Sequence, residues 1–255
     1  MTHRSTPGKA SAFLALWNSI SSPQLQLEYD TWHTFEHVPE RVGLPGFIEA
    51  RRYRSHDGPP TQPLRYFTCY WLASIDALST PRYRNVFTHP TPWSTRMRTE
   101  LRDFLRLPCT LSGACGESSA PQLATLHFSG DADGFATLAA ARLDQLVNRA
   151  AVVCAQWGTA VMSADFPIPN RTSATKAAGA DTEYVVMLQS FDRAALRAHT
   201  HELVQTLAPV AMAVSAPAFF ELLSQVRQDE LSSPLSARQP ARPHLFQAFK
   251  PGDKP

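Results

Sequence analysis

The chain has 255 residues and a mass of 28.2 kDa, which fits two small domains better than one. With 44% hydrophobic residues and only 18% charged it can bury a sizeable core, and no apolar run approaches the ~18 residues that a spanning helix needs. A formal net charge of +2 gives no basic stripe for nucleic acid, so disordered, membrane-spanning and nucleic-acid-binding classes all fall away.

In chain order, the first apolar run of strand length is Ala12 to Ile20. The apolar stretch near the N-terminus is too short for a secretory leader, so a cytoplasmic protein is expected. Ser22 as a cap and Pro23 at the first helical position then open a helix over Gln24 to Arg41, which Gly43, Pro45 and Gly46 end. Phe47 to Arg54 alternates as a strand and Arg65 to Ala73 reads as another, rich in Tyr, Phe, Cys and Trp. Short helices are expected at Ser74 to Leu78 and Pro81 to Phe87, and a fourth strand at Phe104 to Leu111.

The same order returns after the small, polar segment Gly113 to Pro121. Strands are expected at Leu123 to Phe128, Val152 to Met162, Tyr184 to Phe191 and Phe219 to Val226, with helices at Gly134 to Ala150 and, capped by Asp192, Arg193 to Leu207. Phe166 to Asp181 reads as a mobile loop. The predicted fold is therefore α+β, tandem ferredoxin-like βαββαβ repeats over 11–115 and 121–227, with a Pro-rich tail over 228–255. The cluster Leu245, Phe246, Ala248 and Phe249 offers that tail an anchor. Each four-stranded sheet leaves one face bare, and packing the two bare faces together closes a barrel within one chain. That pairing removes the need for a partner chain without forbidding a homodimer.

The densest chemistry lies on the first long helix, where His33, His37 and Arg41 recur every four residues beside a stripe of Trp32, Glu36 and Glu40. A carboxylate beside an imidazole raises its pKa toward neutrality, which suits a general acid or base; the alternative is an ordinary solvated helix face. Pro39 disfavours helical geometry at Val38, so a kink with free carbonyls is expected near His37. His33-x-x-Glu36-His37 also matches the H-x-x-E-H string of inverted zinc peptidases, but so short a string arises often by chance and sits here in a small tandem repeat, so no metal is expected. Cys69, Cys109, Cys115 and Cys154 lack CxxC spacing and read as free thiols.

Tyr29-Asp30-x-Trp32-His33-x-x-Glu36-His37-Val38-Pro39-Glu40-Arg41, followed by Gly43-Leu-Pro-Gly46-Phe47 and Ala50-Arg51-Arg52-Tyr53, resembles the first half of EthD-like members of the dimeric α+β barrel superfamily. Pro81-x-Tyr83 and His89-Pro90-Thr91-Pro92-Trp93-x-x-Arg96-Met97 resemble the second-helix segment of such proteins. The likeness covers about Ala12 to Leu107; the second half agrees in element order only. It implies a small-molecule pocket between sheet and helices, in a superfamily of cofactor-free monooxygenases, cyclases and isomerases and of tandem-repeat haem enzymes. By motif position a helix-borne acid or base would be His37.

The sequence reading is a cofactor-independent lyase, isomerase or cyclase acting on an aromatic or oxygenated carbon skeleton. His37 moves the proton, Glu36 or Glu40 orients it, and His33 shares the face. Trp17, Trp32, Tyr53, Tyr70, Trp71 and Trp93 offer an aromatic wall for a small-molecule substrate, and Arg51 beside Tyr53 an anion clamp; core positions are the alternative for the rings. Two other readings stay open. One is a haem enzyme with His127, His199 or His201 as axial ligand, and the other is a non-catalytic ligand binder.

Overall fold

A computed structural model describes residues 6–55, 57, 65–130, 132–161, 182–232 and 238–250. The strands are β1 (Ala12–Ile20), β2 (Phe47–Arg54), β3 (Arg65–Leu72), β4 (Leu101–Cys115), β5 (Gln122–Gly130), β6 (Cys154–Ala160), β7 (Thr182–Ser190), β8 (Ala211–Val214) and β9 (Ala218–Arg227). They pair in the order β7-β6-β4-β1-β3-β2-β9-β5-β8, always antiparallel. The added β5–β7 pairing, Gln122 opposite Ser190 through Gly130 opposite Thr182, closes eight strands into a barrel and leaves β8 as an extra edge. Within the first half the order is β4-β1-β3-β2 and within the second β6-β7-β5-β9.

The helices are α1 (Gln26–Trp32), a π-helical turn (His33–His37), α2 (Val38–Val42), α3 (Pro81–Thr88), α4 (Pro92–Arg98), α5 (Ala132–Asn148), α6 (Arg193–Leu207) and α7 (Pro243–Gln247). Expected and observed boundaries differ most at β4, which runs four residues past Leu111 to pair with β6 and ends at Cys115. The strand β8 and the helix α7 had no expected counterpart, and the loop expected over 166–181 lies outside the described residues.

Side-chain parity explains why β1 and β3 are buried along both faces. Phe13, Phe67, Cys69, Trp71, Leu107 and Cys109 point into the barrel, where Leu123, Val185, Met187 and Phe220 from the second half meet them. The neighbouring parity of β1 and β3 faces the helices instead, through Leu14, Tyr70 and Leu72. β1 and β3 are thus sandwiched, and burying each large side chain contributes roughly 1.5–3 kcal/mol. Gly158 marks the tightest approach inside: a Cβ there would lie 2.5 Å from both the Phe13 ring and the Thr110 carbonyl. The turn after α2 needs Gly46 at φ +84°, with its Cα facing the Ala77 methyl.

The segment after β9 returns to the first half. Arg238 reaches Glu40, while Leu245, Phe246 and Phe249 pack onto a cluster containing Trp32, Trp93 and Met97. The rings of Phe246 and Phe249 stack on Trp93 with centroids 5.6 and 5.9 Å away. The expected apolar anchor is where the tail is held.

Candidate functional site

Helix α1 sits on the sheet through Arg52 of β2, which is 2% exposed. Its guanidinium donates to Asp30 at 3.0 Å and to Thr34 Oγ1 at 2.6 Å, and lies over the rings of Tyr29 and Tyr66. The Tyr29 hydroxyl donates to Asn18 Oδ1 on β1 at 3.1 Å. Trp32 Nε1 donates to Ser94 Oγ on α4, which ties the two helical layers together. These contacts set the rotation of the helix before the histidines are reached.

At His33 the helix widens. The Val38 amide donates to the His33 carbonyl five residues back, a π-turn of the kind often found at functional positions. Pro39 supplies no amide to continue the ladder, and Arg41 folds back so that its guanidinium donates to the His37 carbonyl at 2.9 Å. The expected distortion is present, as a widened turn whose carbonyl at His37 takes the Arg41 guanidinium.

The turn stacks the imidazoles of His33 and His37, centroids 4.8 Å apart, with Trp32 4.2 Å from His37 and Tyr29 5.2 Å from His33. Both Nδ1 atoms are buried without a hydrogen-bond partner. Burial first, and then the cations Arg52 and Arg41, hold His33 well below the ordinary imidazole pKa. For His37 burial again leads, followed by Arg41, His33 and Arg98. Both rings are neutral at physiological pH, the reverse of the raised pKa expected from a neighbouring carboxylate.

The carboxylates of the motif point elsewhere. Glu36 accepts from the Thr91 hydroxyl at 2.5 Å and from the Arg242 backbone amide at 2.6 Å. Glu40 pairs with Arg41 at 3.1 Å and with Arg238 at 2.6 Å. Neither hydrogen-bonds an imidazole, so the expected orienting role of Glu36 or Glu40 is corrected: they fasten α4 and the tail to the π-turn. The same geometry takes Glu36 away from any zinc-peptidase arrangement, and among the described residues no group of three or more His, Cys, Asp or Glu converges.

His33 and His37 line a cavity of about 50 Å³ between helices and sheet. Leu14, Leu16, Asn18, Thr68 and Tyr70 form its floor, Trp32, Tyr83, Phe87 and Phe104 its walls, and Arg41, Arg98 and Arg106 bring positive charge. Thr68 Oγ1 and Tyr70 OH are buried without partners. Burial pushes the Tyr70 phenol far above its ordinary range, so it remains a protonated donor. Unpartnered buried donors and acceptors around a void are what a polar ligand or ordered water satisfies.

The expected aromatic wall divides between the two faces of the sheet. Trp32 and Tyr70 line the cavity. Tyr53, Trp71 and Trp17 belong to the barrel-interior cluster, where Trp17 Nε1 donates to Thr125 at 3.1 Å; strand parity sends them away from the helices. Arg51 is on that face too and is held by Glu49 at 2.5 Å, so it forms no clamp in the cavity. Trp93 lies behind Trp32, donating to Glu28 and covered by the tail. Arg41 lies on the histidine face as its spacing predicts, whereas Arg98, Arg106 and Thr68 were not among the expected site residues. The parity of Thr68 with Tyr70 on β3 was the available signal for one of them.

A haem does not fit the histidines of the second half. Between the sheet and α5 and α6 lie Leu126, Phe128, Phe135, Leu143, Tyr184 and Leu203, with Phe135 stacked on Tyr184 at 4.4 Å, and the cavity of about 370 Å³ beside α5, lined by Leu111, Ala140, Leu143, Asp144 and Trp157, has no histidine in its lining. His199 turns to Glu202 at 3.3 Å and His201, exposed, to the Arg197 carbonyl at 2.8 Å. His127 lies 4.0 Å from Glu183, beside Trp17 and Thr125 at a separate cavity of about 140 Å³.

No protein-family model and no curated protein sequence matches the chain. Its fold is shared with solved structures. An anthrone oxidase-like protein superposes at a TM-score of 0.62 and 9% identity, over 88% of this chain and 97% of that one. A candidate monooxygenase from Fusobacterium nucleatum gives 0.55 and 9% over 87% and 96%, and another from Lactobacillus acidophilus gives 0.53 and 6% over 86% and 97%. The architecture is the expected α+β fold, with an eight-stranded antiparallel barrel and helices outside it. At these identities the likeness is one of fold.

Proposed function

We propose that the chain is a small-molecule enzyme in which His37 acts as a cofactor-independent general base. The observation that carries this reading is the neutral, unpartnered imidazole pair facing a cavity lined by arginines. A neutral histidine accepts a proton without first losing one, and nearby guanidiniums favour the anion that forms. Tyr70 and Thr68 are the donors for the oxygen on which that charge collects. His33, stacked on His37, positions the ring and disfavours its charging before substrate arrives.

The substrate of this reading has an aromatic or oxygenated carbon skeleton with an acidic C–H or O–H. Elimination, isomerisation or cyclisation follows from the resulting anion, in keeping with a lyase, isomerase or cyclase. A second reading is supported by the names of the structural neighbours, an anthrone oxidase-like protein and two candidate monooxygenases: the same anion is what a cofactor-free oxygenase generates first. The two strand orders, β4-β1-β3-β2 and β6-β7-β5-β9, support descent from a tandem ferredoxin-like repeat, with the EthD-like motif in the first unit alone. Free thiols at Cys69, Cys109, Cys115 and Cys154 suit a cytoplasmic setting, and no helix among the described residues is long and apolar enough to cross a membrane.

The test is proton exchange. Cyclic 1,3-diketones and anthrone-like ketones are incubated with enzyme in D2O and deuterium uptake at the acidic carbon is followed by NMR. Uptake that disappears in a folded His37→Gln protein supports the base; undiminished uptake in that variant removes it.

A further inference from the structure

The charge around the cavity does not balance. Arg98, the last residue of α4, donates to the carbonyls of Phe87 and Val86 at 2.9 and 3.2 Å. Among the described residues it has no carboxylate within 4 Å. Arg41 shares Glu40 with Arg238, so these three guanidiniums face a single carboxylate. Phe87 lies between Arg41 and Arg98, 5.8 and 5.5 Å from their guanidinium carbons, which screens the two cations from each other only through a ring face. Burial first, and then the nearby Arg41, push Arg98 down to about 10, and Glu40, already shared by Arg41 and Arg238, offsets this only in part.

A second, independent observation points the same way. The hydroxyls of Thr68 and Tyr70, on residues 1% and 0% exposed, meet the cavity with no protein partner. Two neutral donors and an unbalanced guanidinium together match an oxyanion. The rings of Trp32 and Tyr70 flank the space and suit a flat, unsaturated body.

We propose that this cavity takes a conjugated carboxylic acid, its carboxylate received by Arg98 and its planar body lying among the aromatic walls. The proposal deepens the proposed function and rests on it in taking the cavity as the substrate site. An anion held by Arg98 neutralises the excess positive charge that otherwise opposes a protonated His37, so binding such a substrate also readies the base.

The experiment compares acids with their neutral amides on the intact protein at pH 7.5: acetate with acetamide, benzoate with benzamide, cinnamate with cinnamamide, by calorimetry and thermal shift. The expected result is at least one acid binding about tenfold or more tighter than its amide, with the preference falling as salt rises. Arg98→Gln should erase the preference, and Arg98→Lys, which keeps the charge and guards against misfolding of the first variant, should retain part of it. No preference in any pair, or a preference that survives in a folded Arg98→Gln protein, overturns the proposal. Acid binding without deuterium exchange on any substrate would sink the proton-transfer reading alone; exchange of neutral ketones without acid preference would sink this one alone.

Discussion

At the scale of single residues, the histidine pair links stability to pH in a direction that can be worked out. Both imidazoles have folded pKa values below the ordinary 6.5, so below that pH the unfolded chain binds more protons than the folded one. The stability the pair contributes is complete above about pH 6.5 and is lost as pH falls through it toward the folded values. The slope approaches about 1.4 kcal/mol per pH unit for each histidine. Urea titrations at pH 7.5, 6.5 and 5.5 should show this loss, and the double variant His33→Gln, His37→Gln should show a shallower one. Equal slopes in the two proteins would mean the rings are not held neutral. The same depression keeps His37 in its basic form down the acid limb, so proton abstraction should not titrate near 6.5.

At the scale of elements, the π-turn, α2 and the tail act as one unit, because Glu36 of the turn and Glu40 of α2 hold Arg242 and Arg238. Removing residues 238–250 leaves two buried carboxylates short of partners and bares Trp93. Loss of a buried partner costs about 3–5 kcal/mol, to which the lost contacts of Phe246 and Phe249 add. The truncated chain should melt well below the intact one, with tryptophan fluorescence shifted to the red; unchanged melting would show that the tail merely rests on the surface. Pro39→Ala offers the amide that an unbroken α-helix requires. It should raise local helix stability while weakening the stacking of His33 on His37, seen as changed imidazole NMR shifts.

Much of this element structure was legible in the sequence. The Ser22-Pro23 start, the Gly43 to Gly46 stop and the Asp192 cap carry their own local chemistry, and Asp192 accepts from the amides of Ala194 and Ala195 as such a cap does. The histidines could be placed on one helix face by spacing alone. The partners of Glu36 and Glu40 could not, because they lie about 50 and 200 residues away along the chain. Arg98 was equally silent: nothing local distinguishes it from Arg96 and Arg102, and only the packing of the end of α4 against α3 brings it to Val86 and Phe87. Strand parity separated Tyr70 from Trp71, yet the face that the helices cover is decided by tertiary packing.

For the whole molecule, the barrel interior is made by both halves at once, with Phe13, Phe67 and Trp71 from one meeting Val185, Met187 and Phe220 from the other. Neither half can bury that surface alone. Expressed separately, residues 1–116 and 117–255 should be insoluble or molten, and co-expression should restore a soluble complex; a stable, cooperatively melting first half would contradict this. Gly158→Ala tests the same interior, where the added methyl meets Phe13 and a backbone carbonyl. It should destabilise the protein by about 1–3 kcal/mol without altering ligand binding at the helix-side cavity.

The two glutamates of the first helix end up as a bracket for the chain's own C-terminus, and this changes what their presence in a sequence can signal. A glutamate two hydrogen bonds deep in the protein is a demand for donors, and in this chain the demand is met about 200 residues downstream. Any shorter protein that keeps both glutamates in this setting must find those donors in another molecule. The six-residue string Glu36-His-Val-Pro-Glu-Arg41 therefore records, beside its histidine, an address for a missing or present tail. Deleting the tail and then supplying it as a free peptide would ask whether the address can still be read.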